Sequence, residues 1–205
     1  MVMKKMNGFE QRKQQKKRDI LQAAFGLFNE KGTKAVNIAD IAKKASVSQV
    51  TIYNHFNSKE QLIREVVKDY SFRKFEEFAE VLRSDRPFQE KVRVFILDKL
   101  HSLESLNMDF MKAAMEEDEE LKGFLEEFYQ QKATPLFVEF IQDSQQKGDI
   151  SKDISIQSIL FHLNMFKTAT DSLPVVTMLK QNEKLAEELM HLFFYGIAGS
   201  APGEK

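Results

Sequence analysis

The chain has 205 residues, 42% of them hydrophobic, enough for one large domain or a small domain joined to a larger one. It has no cysteine, which excludes disulfides and thiolate metal centres and leads us to expect a reducing, cytoplasmic location; no signal-peptide core or membrane-length apolar run is visible. The net charge of −1 conceals an asymmetry: residues 1–60 hold twelve Lys and Arg against five Asp and Glu, or +7, which leaves −8 on the rest. Such a split fits a basic, nucleic-acid-facing unit on an acidic body, or else a solvated basic terminus without a target.

Helical periodicity runs the length of the chain, with only four Pro and eight Gly to interrupt it. Ile20, Ala24, Leu27 and Phe28, widened by Leu21 and Phe25, form the stripe of a first helix that Gly32 should end. Asn37 is a good N-cap for a short second helix through Ile38, Ile41, Ala42 and Ala45, with Asp40 placed to complete a capping box. Ser48 caps a third helix that reaches about His55. Ser58, with Gln61 three residues on, opens a long fourth helix that stops before Asp85-Arg86-Pro87. Val92, Phe95, Ile96, Leu100 and Leu103 line a fifth helix, and Met108, Met111 and Met115 a short sixth. The acidic run Glu116–Glu120 is expected to open the next helix, which carries Leu121, Phe124, Phe128, Phe137, Phe140 and Ile141 to Gly148, kinked or split by Pro135. Amphipathic stretches at 155–172 and 182–197 follow, and the SAPGEK end is expected to be disordered.

Two short helices, 38–45 and 49–55, joined by the tight turn Ser46-Val47-Ser48, describe a helix-turn-helix. Small Ala42 lets the helices approach, and Val47 plugs the core. The second helix is polar except at Val50 and Ile52, as a reader in a DNA major groove should be. Gln49 suits base edges and Val50 a thymine methyl. Ser48, Thr51, Tyr53, His55 and Lys59 are residue types that reach phosphate oxygens, and the amide groups opening the fourth helix could do the same. The arm from Arg12 to Arg18 is either a further backbone contact or a solvated face.

These residues carry a family resemblance. Ile38-Ala39-Asp40-Ile41-Ala42, Ala45-Ser46-Val47-Ser48, Thr51-Ile52-Tyr53-Asn54-His55-Phe56 and Ser58-Lys59-Glu60-Gln61-Leu62 resemble the DNA-binding domain of the tetracycline-repressor-like (TetR) family of bacterial regulators. The likeness covers roughly residues 15–65. Two positions depart from it: Ser46 stands where the family usually has Gly at a turn position favouring positive φ, and Val50 where it often has Gly. The candidate DNA-binding set is Asn37, Ser48, Gln49, Val50, Thr51, Tyr53, Asn54, His55 and Lys59.

The resemblance implies an all-α chain of about nine helices. A three-helix DNA-binding domain at 1–60 leads through a connecting helix at 59–83 into an effector-binding and dimerisation domain at 61–200, with a tail at 201–205. It further implies a homodimer on a palindromic operator of double-stranded DNA, probed by a small effector, and no membrane partner. A repressor is the expected regulator.

Phe95, Leu103, Met108, Phe110, Met111, Met115, Phe124, Phe128, Phe161 and Met165 are candidate lining for a hydrophobic effector pocket, with His101 and His162 as orienting polar groups. The same stripes would serve equally as plain core. Ile159, Leu163, Phe166, Leu185, Leu189, Leu192, Phe193 and Ile197 are the stripes that, by the resemblance, would form the dimer interface as a four-helix bundle. Scattered histidines, no phosphate loop and no nucleophile elbow leave an enzyme, a cofactor or a metal site unsupported. A ligand-independent DNA-binding protein acting through protein contacts is the alternative.

Overall fold

The computed structural model describes residues 8–170, 175, 178 and 181–195, and among them the chain is all-helical, with no strand. Two compact units can be told apart. One draws on the described residues of Met1–Phe75 and Asn107–Glu127, the other on those of Glu76–Leu106 and Phe128–Lys205.

The first unit begins with α1, Gly8–Ala35, which breaks at Gly32. Gly32 takes φ 75° and ψ 163°, a conformation closed to side-chain-bearing residues, and this is the stop expected from the sequence. Beyond it come α2, Ile38–Lys44, and α3, Gln49–Phe56, then the start of α4, Lys59–Arg83. The core takes Ile20, Ala24, Leu27 and Phe28 from α1, Ile38, Ile41 and Ala42 from α2, Ile52 and Phe56 from α3, and Leu62, Val66 and Val67 from α4.

α6, Met108–Glu116, completes this core. Its Phe110 is buried with its ring centroid 5.8 Å from Phe28 and 6.4 Å from Phe25, and Phe25 in turn stacks on Tyr70 at 4.9 Å. The start of α6 is tied to α1 by Asn29, whose Oδ1 accepts the Asn107 amide at 2.7 Å.

The acidic run divides rather than opening one helix. Glu116 and Glu117 close α6, Asp118 caps the Leu121 amide at 2.9 Å, and Glu119 and Glu120 open α7, Glu119–Phe128. Arg64 of α4 reaches this junction, donating from Nε to Asp118 at 2.8 Å and pairing with Glu120. Burial would push the Asp118 carboxyl up. The hydrogen bonds from Arg64 and the Leu121 amide outweigh it and hold the group below its ordinary value.

In the second unit, α4 ends at Arg83 and α5, Phe88–Ser105, follows. Lys91 is buried here. Its ammonium donates to the Leu82 carbonyl at 2.7 Å, where a cation meets the negative end of α4, and it lies 5.8 Å from the centre of the Phe140 ring. Pro135 was expected to kink or split this segment. A π-helical turn, Tyr129–Ala133, precedes α8, Thr134–Lys147, so that Pro135 falls in the first turn of a new helix where its missing N–H is harmless. Gly148 ends α8 in the left-handed conformation. α9, Ile156–Thr170, and α10, Glu183–Tyr195, complete the described chain.

Candidate nucleic-acid interface

The caps that set α2, α3 and α4 form as the sequence implies, with one exception. Asn37 Oδ1 accepts the Asp40 amide at 2.9 Å while Asp40 Oδ2 accepts the Asn37 amide at 3.1 Å, a complete capping box. Ser48 Oγ accepts the Thr51 amide at 3.0 Å and shares a 2.8 Å hydrogen bond with Thr51 Oγ1. At α4 only half a box forms. Ser58 Oγ accepts the Gln61 amide at 3.1 Å, but Gln61 Oε1 accepts instead from Asn57 Nδ2 at 3.1 Å.

Both junctions around α3 are sharp. Between α2 and α3, Ser46 takes φ 54°, the left-handed turn geometry anticipated at this position. A side chain is strained there, so Ser46→Gly is expected to stabilise the chain by about 1 kcal/mol in urea denaturation, with α3 unchanged by circular dichroism. A neutral or destabilising result would mean that this turn is not held at positive φ. Between α3 and α4, Asn57 takes φ 57° and ψ −43°, and the Ser58 amide bonds back to the Phe56 carbonyl at 2.6 Å. This is a γ-turn, a compact and strained reversal.

α3 is thus pinned at both ends and anchored inward by Ile52 and Phe56. Its outward side carries Gln49, Val50, Tyr53 and Asn54, with Val50 66% and Tyr53 46% exposed. An exposed valine and an exposed tyrosine one turn apart on a helix of eight residues form a surface suited to contact rather than to solvent.

The candidate set divides by engagement. The Asn37 Oδ1, Ser48 and Thr51 oxygens are committed to caps, so these residues shape the motif. The side chains of Gln49, Tyr53, Asn54, His55 and Lys59 make no hydrogen bond or ion pair among the described residues. They are available to a ligand. The first turn of α4 is less open than the sequence implied. The Glu60 carboxylate bonds its own amide and the Ser58 hydroxyl, which holds its pKa below the ordinary value, so a phosphate arriving there must displace it.

The basic arm of α1 also divides. Lys17 Nζ bonds Glu65 at 2.9 Å and lies 5.8 Å from the centre of the Phe56 ring, and Arg18 bonds Gln15. Lys13 and Lys16 have no ion pair among the described residues. Burial lowers the pKa of His55, and the charges of Lys13, Lys17 and Lys16 lower it further. Sequence reasoning saw the arm and the histidine but not their meeting, which lies across some forty residues of chain.

Elsewhere the sequence-derived sites scatter. Of the pocket set, Met108, Phe110, Met111, Met115 and Phe124 fall in the first unit, and Phe128, Phe161, His162 and Met165 in the second. Phe110 is packed core, and Phe124 meets Phe72 at 5.8 Å with the Lys68 ammonium 4.5 Å from its ring centre. Phe161 and Met165 are 67% and 52% exposed on α9. Of the interface set, Ile159, Leu185 and Leu189 are half-buried and Leu192 is 46% exposed. The side chains of Phe95, His101, Leu103, Leu163, Phe166 and Phe193, and the whole of Ile197 and the 201–205 end, lie outside the described residues. No described helix is long and apolar enough to cross a membrane.

Residues 20–66 match the family described as bacterial regulatory proteins, tetR family. The HTH-type transcriptional repressor KstR2 of Mycolicibacterium smegmatis is 30% identical over 86 residues, which span 42% of this chain and 42% of that protein. The HTH-type transcriptional regulator UidR of Escherichia coli (strain K12) is 28% identical over 138 residues, 66% of this chain and 69% of that one. A crystal structure of the transcriptional regulator FadR from Bacillus subtilis in complex with stearoyl-CoA shares the fold, with a TM-score of 0.61 at 20% identity, over 88% of this chain and 98% of that one. The family match takes in the capped α2, the strained turn, the whole of α3 and the opening of α4. Residues 20–66 are thus similar to the tetR-family DNA-binding region and the described fold is shared with FadR, while the match to KstR2 spans less than half the length of that protein.

Proposed function

We propose that this protein is a TetR-family transcriptional regulator, a homodimeric repressor that reads a palindromic operator in the bacterial cytoplasm with α3 and lets go when a hydrophobic effector binds in its C-terminal part, residues 61–200. The observation that carries the reading is the outward side of α3, where Gln49, Val50, Tyr53 and Asn54 are exposed and the three polar side chains are unengaged while Ile52 and Phe56 hold the helix in place. KstR2 is named a repressor, and FadR is seen with a fatty acyl-CoA, which supports the repressor and effector parts. In such a dimer the two readers sit about 34–36 Å apart, one turn of DNA. The effector acts by preferring a state in which that spacing is lost. The exposed Phe161, Met165 and Leu192 of α9 and α10 are the apolar surface proposed to meet the second copy.

Substitution in α3 tests the division between base reading and phosphate contact. Gln49→Ala is expected to relax preference at one base pair per half-site by about 1–3 kcal/mol, whereas Tyr53→Phe should weaken binding about equally on all sequences. Competition binding with single-base operator variants distinguishes them. An unchanged preference profile for Gln49→Ala removes it from the reading set, and a sequence-selective loss for Tyr53→Phe removes the phosphate role.

A further inference from the structure

Lys91, in the first turn of α5, is 6% exposed, and no carboxylate answers its charge: among the described residues it forms no ion pair. The neighbouring Glu90 is engaged by Arg86 at 3.8 Å. An ammonium has three N–H donors. One goes to the Leu82 carbonyl at 2.7 Å, and no group among the described residues accepts the other two. The end of α4 does not by itself account for this burial. Its last turn already holds a cation in water at the exposed Arg83, and taking a second one out of water is costly unless charge and donors are both matched.

The surroundings are aromatic and only partly closed. The ammonium lies 5.8 Å from the centre of the Phe140 ring, within reach of a cation–π attraction. Phe140 stacks on Phe88 at 5.8 Å and tilts against Phe137 at 6.0 Å, and Phe137 in turn stacks on Phe78 at 6.5 Å. The four rings come from α4, α5 and α8 within the second unit, and every one is half-buried rather than closed into core. Partly open rings that meet a buried cation with donors to spare offer an apolar bed with one charged end.

We infer that Lys91 and the rings of Phe78, Phe88, Phe137 and Phe140 bind a monocarboxylate with an apolar body. The carboxylate accepts from the Lys91 ammonium and the body lies on the rings. The inference rests on the hydrophobic effector proposed above and gives that effector an acidic head. A hydrogen bond from ammonium to carboxylate is charge-assisted and roughly twice as strong as a neutral one. It also supplies the counter-charge that a carbonyl dipole and a ring face supply only in part. A hydroxyl on the same apolar body would accept as a neutral group and leave the charge unmatched, so the site should prefer an acid to its alcohol.

Isothermal titration calorimetry on the full chain tests this with two matched pairs, decanoate against decanol and naphthoate against naphthol, near neutral pH and below the concentrations at which they self-associate. The wild-type protein should bind the acid of at least one pair roughly tenfold more tightly than its alcohol. Lys91→Met keeps an apolar stem and should bring the acid down to the affinity of the alcohol. Lys91→Arg should keep the preference. Circular dichroism checks the fold of each variant. NMR of the lysine ammonium groups in the wild-type protein needs no substitution in the sample: the Lys91 resonance should move with the preferred acid and stay in place with its alcohol. Equal affinity for acid and alcohol in both pairs, a preference that survives Lys91→Met, or a Lys91 resonance unmoved by bound acid overturns the inference, and so does failure of all four compounds to bind. The effector reading fails separately: an acid that binds through Lys91 but leaves operator DNA in place contradicts release while leaving the Lys91 site intact.

Discussion

Phe56→Ala is expected to destabilise the protein by about 3–5 kcal/mol and to abolish DNA binding. Phe56 is 1% exposed, the last residue of α3, and its ring supports the Lys17 ammonium. Truncation removes a buried aromatic at the point where α1, α3 and α4 converge, and the γ-turn at Asn57 leaves the backbone no freedom to close the gap. Set against a total stability of about 5–15 kcal/mol, this is a large fraction. Urea denaturation followed by circular dichroism measures it. Phe56→Leu keeps most of the volume and should cost less than about 1.5 kcal/mol. A loss below about 1 kcal/mol for Phe56→Ala would mean that α3 is held mainly by its turns rather than by its apolar underside.

The second large effect concerns the surface of α9 and α10. Phe161→Glu combined with Leu192→Glu is expected to yield monomers by analytical ultracentrifugation and to weaken operator binding by roughly 10²–10⁴-fold. Both side chains are exposed in the single chain, at 67% and 46%, so charging them leaves the monomer's own core intact. The loss arises because two linked readers act at a high mutual effective concentration that a monomer forfeits. A stable dimer of the double variant would place the interface elsewhere, and a monomer with unimpaired operator affinity would show that one reader suffices.

The helix-turn-helix was legible because its determinants are local. Asn37, Ser48 and Ser58 mark three helix starts within one turn of chain each, and Ile52 and Phe56 at i,i+4 mark the buried side of α3. Even the backbone strain at Ser46 was anticipated, because by the family resemblance Gly usually stands at this turn position. What escaped the sequence was non-local or depended on competition between neighbours. The Arg64–Asp118 pair joins residues more than fifty positions apart. Gln61 was expected to accept the Ser58 amide, but that amide bonds the Phe56 carbonyl and Gln61 accepts from Asn57 Nδ2. Pro135 signalled a kink or split, but not that a π-helical turn would precede it. Apolar periodicity identified a face on α9 but not the exposure of Phe161 and Met165, because period alone does not distinguish a buried stripe from an exposed one.

The central claim, a dimeric reader of a palindromic operator, is tested most directly by selecting binding sites from random duplex DNA at low and moderate salt. The account predicts one enriched palindrome with half-sites centred about one turn apart, and affinity that falls steeply with salt as phosphate-bound cations are released. Enrichment of a single unpaired half-site, or of no sequence at either salt concentration, would contradict it.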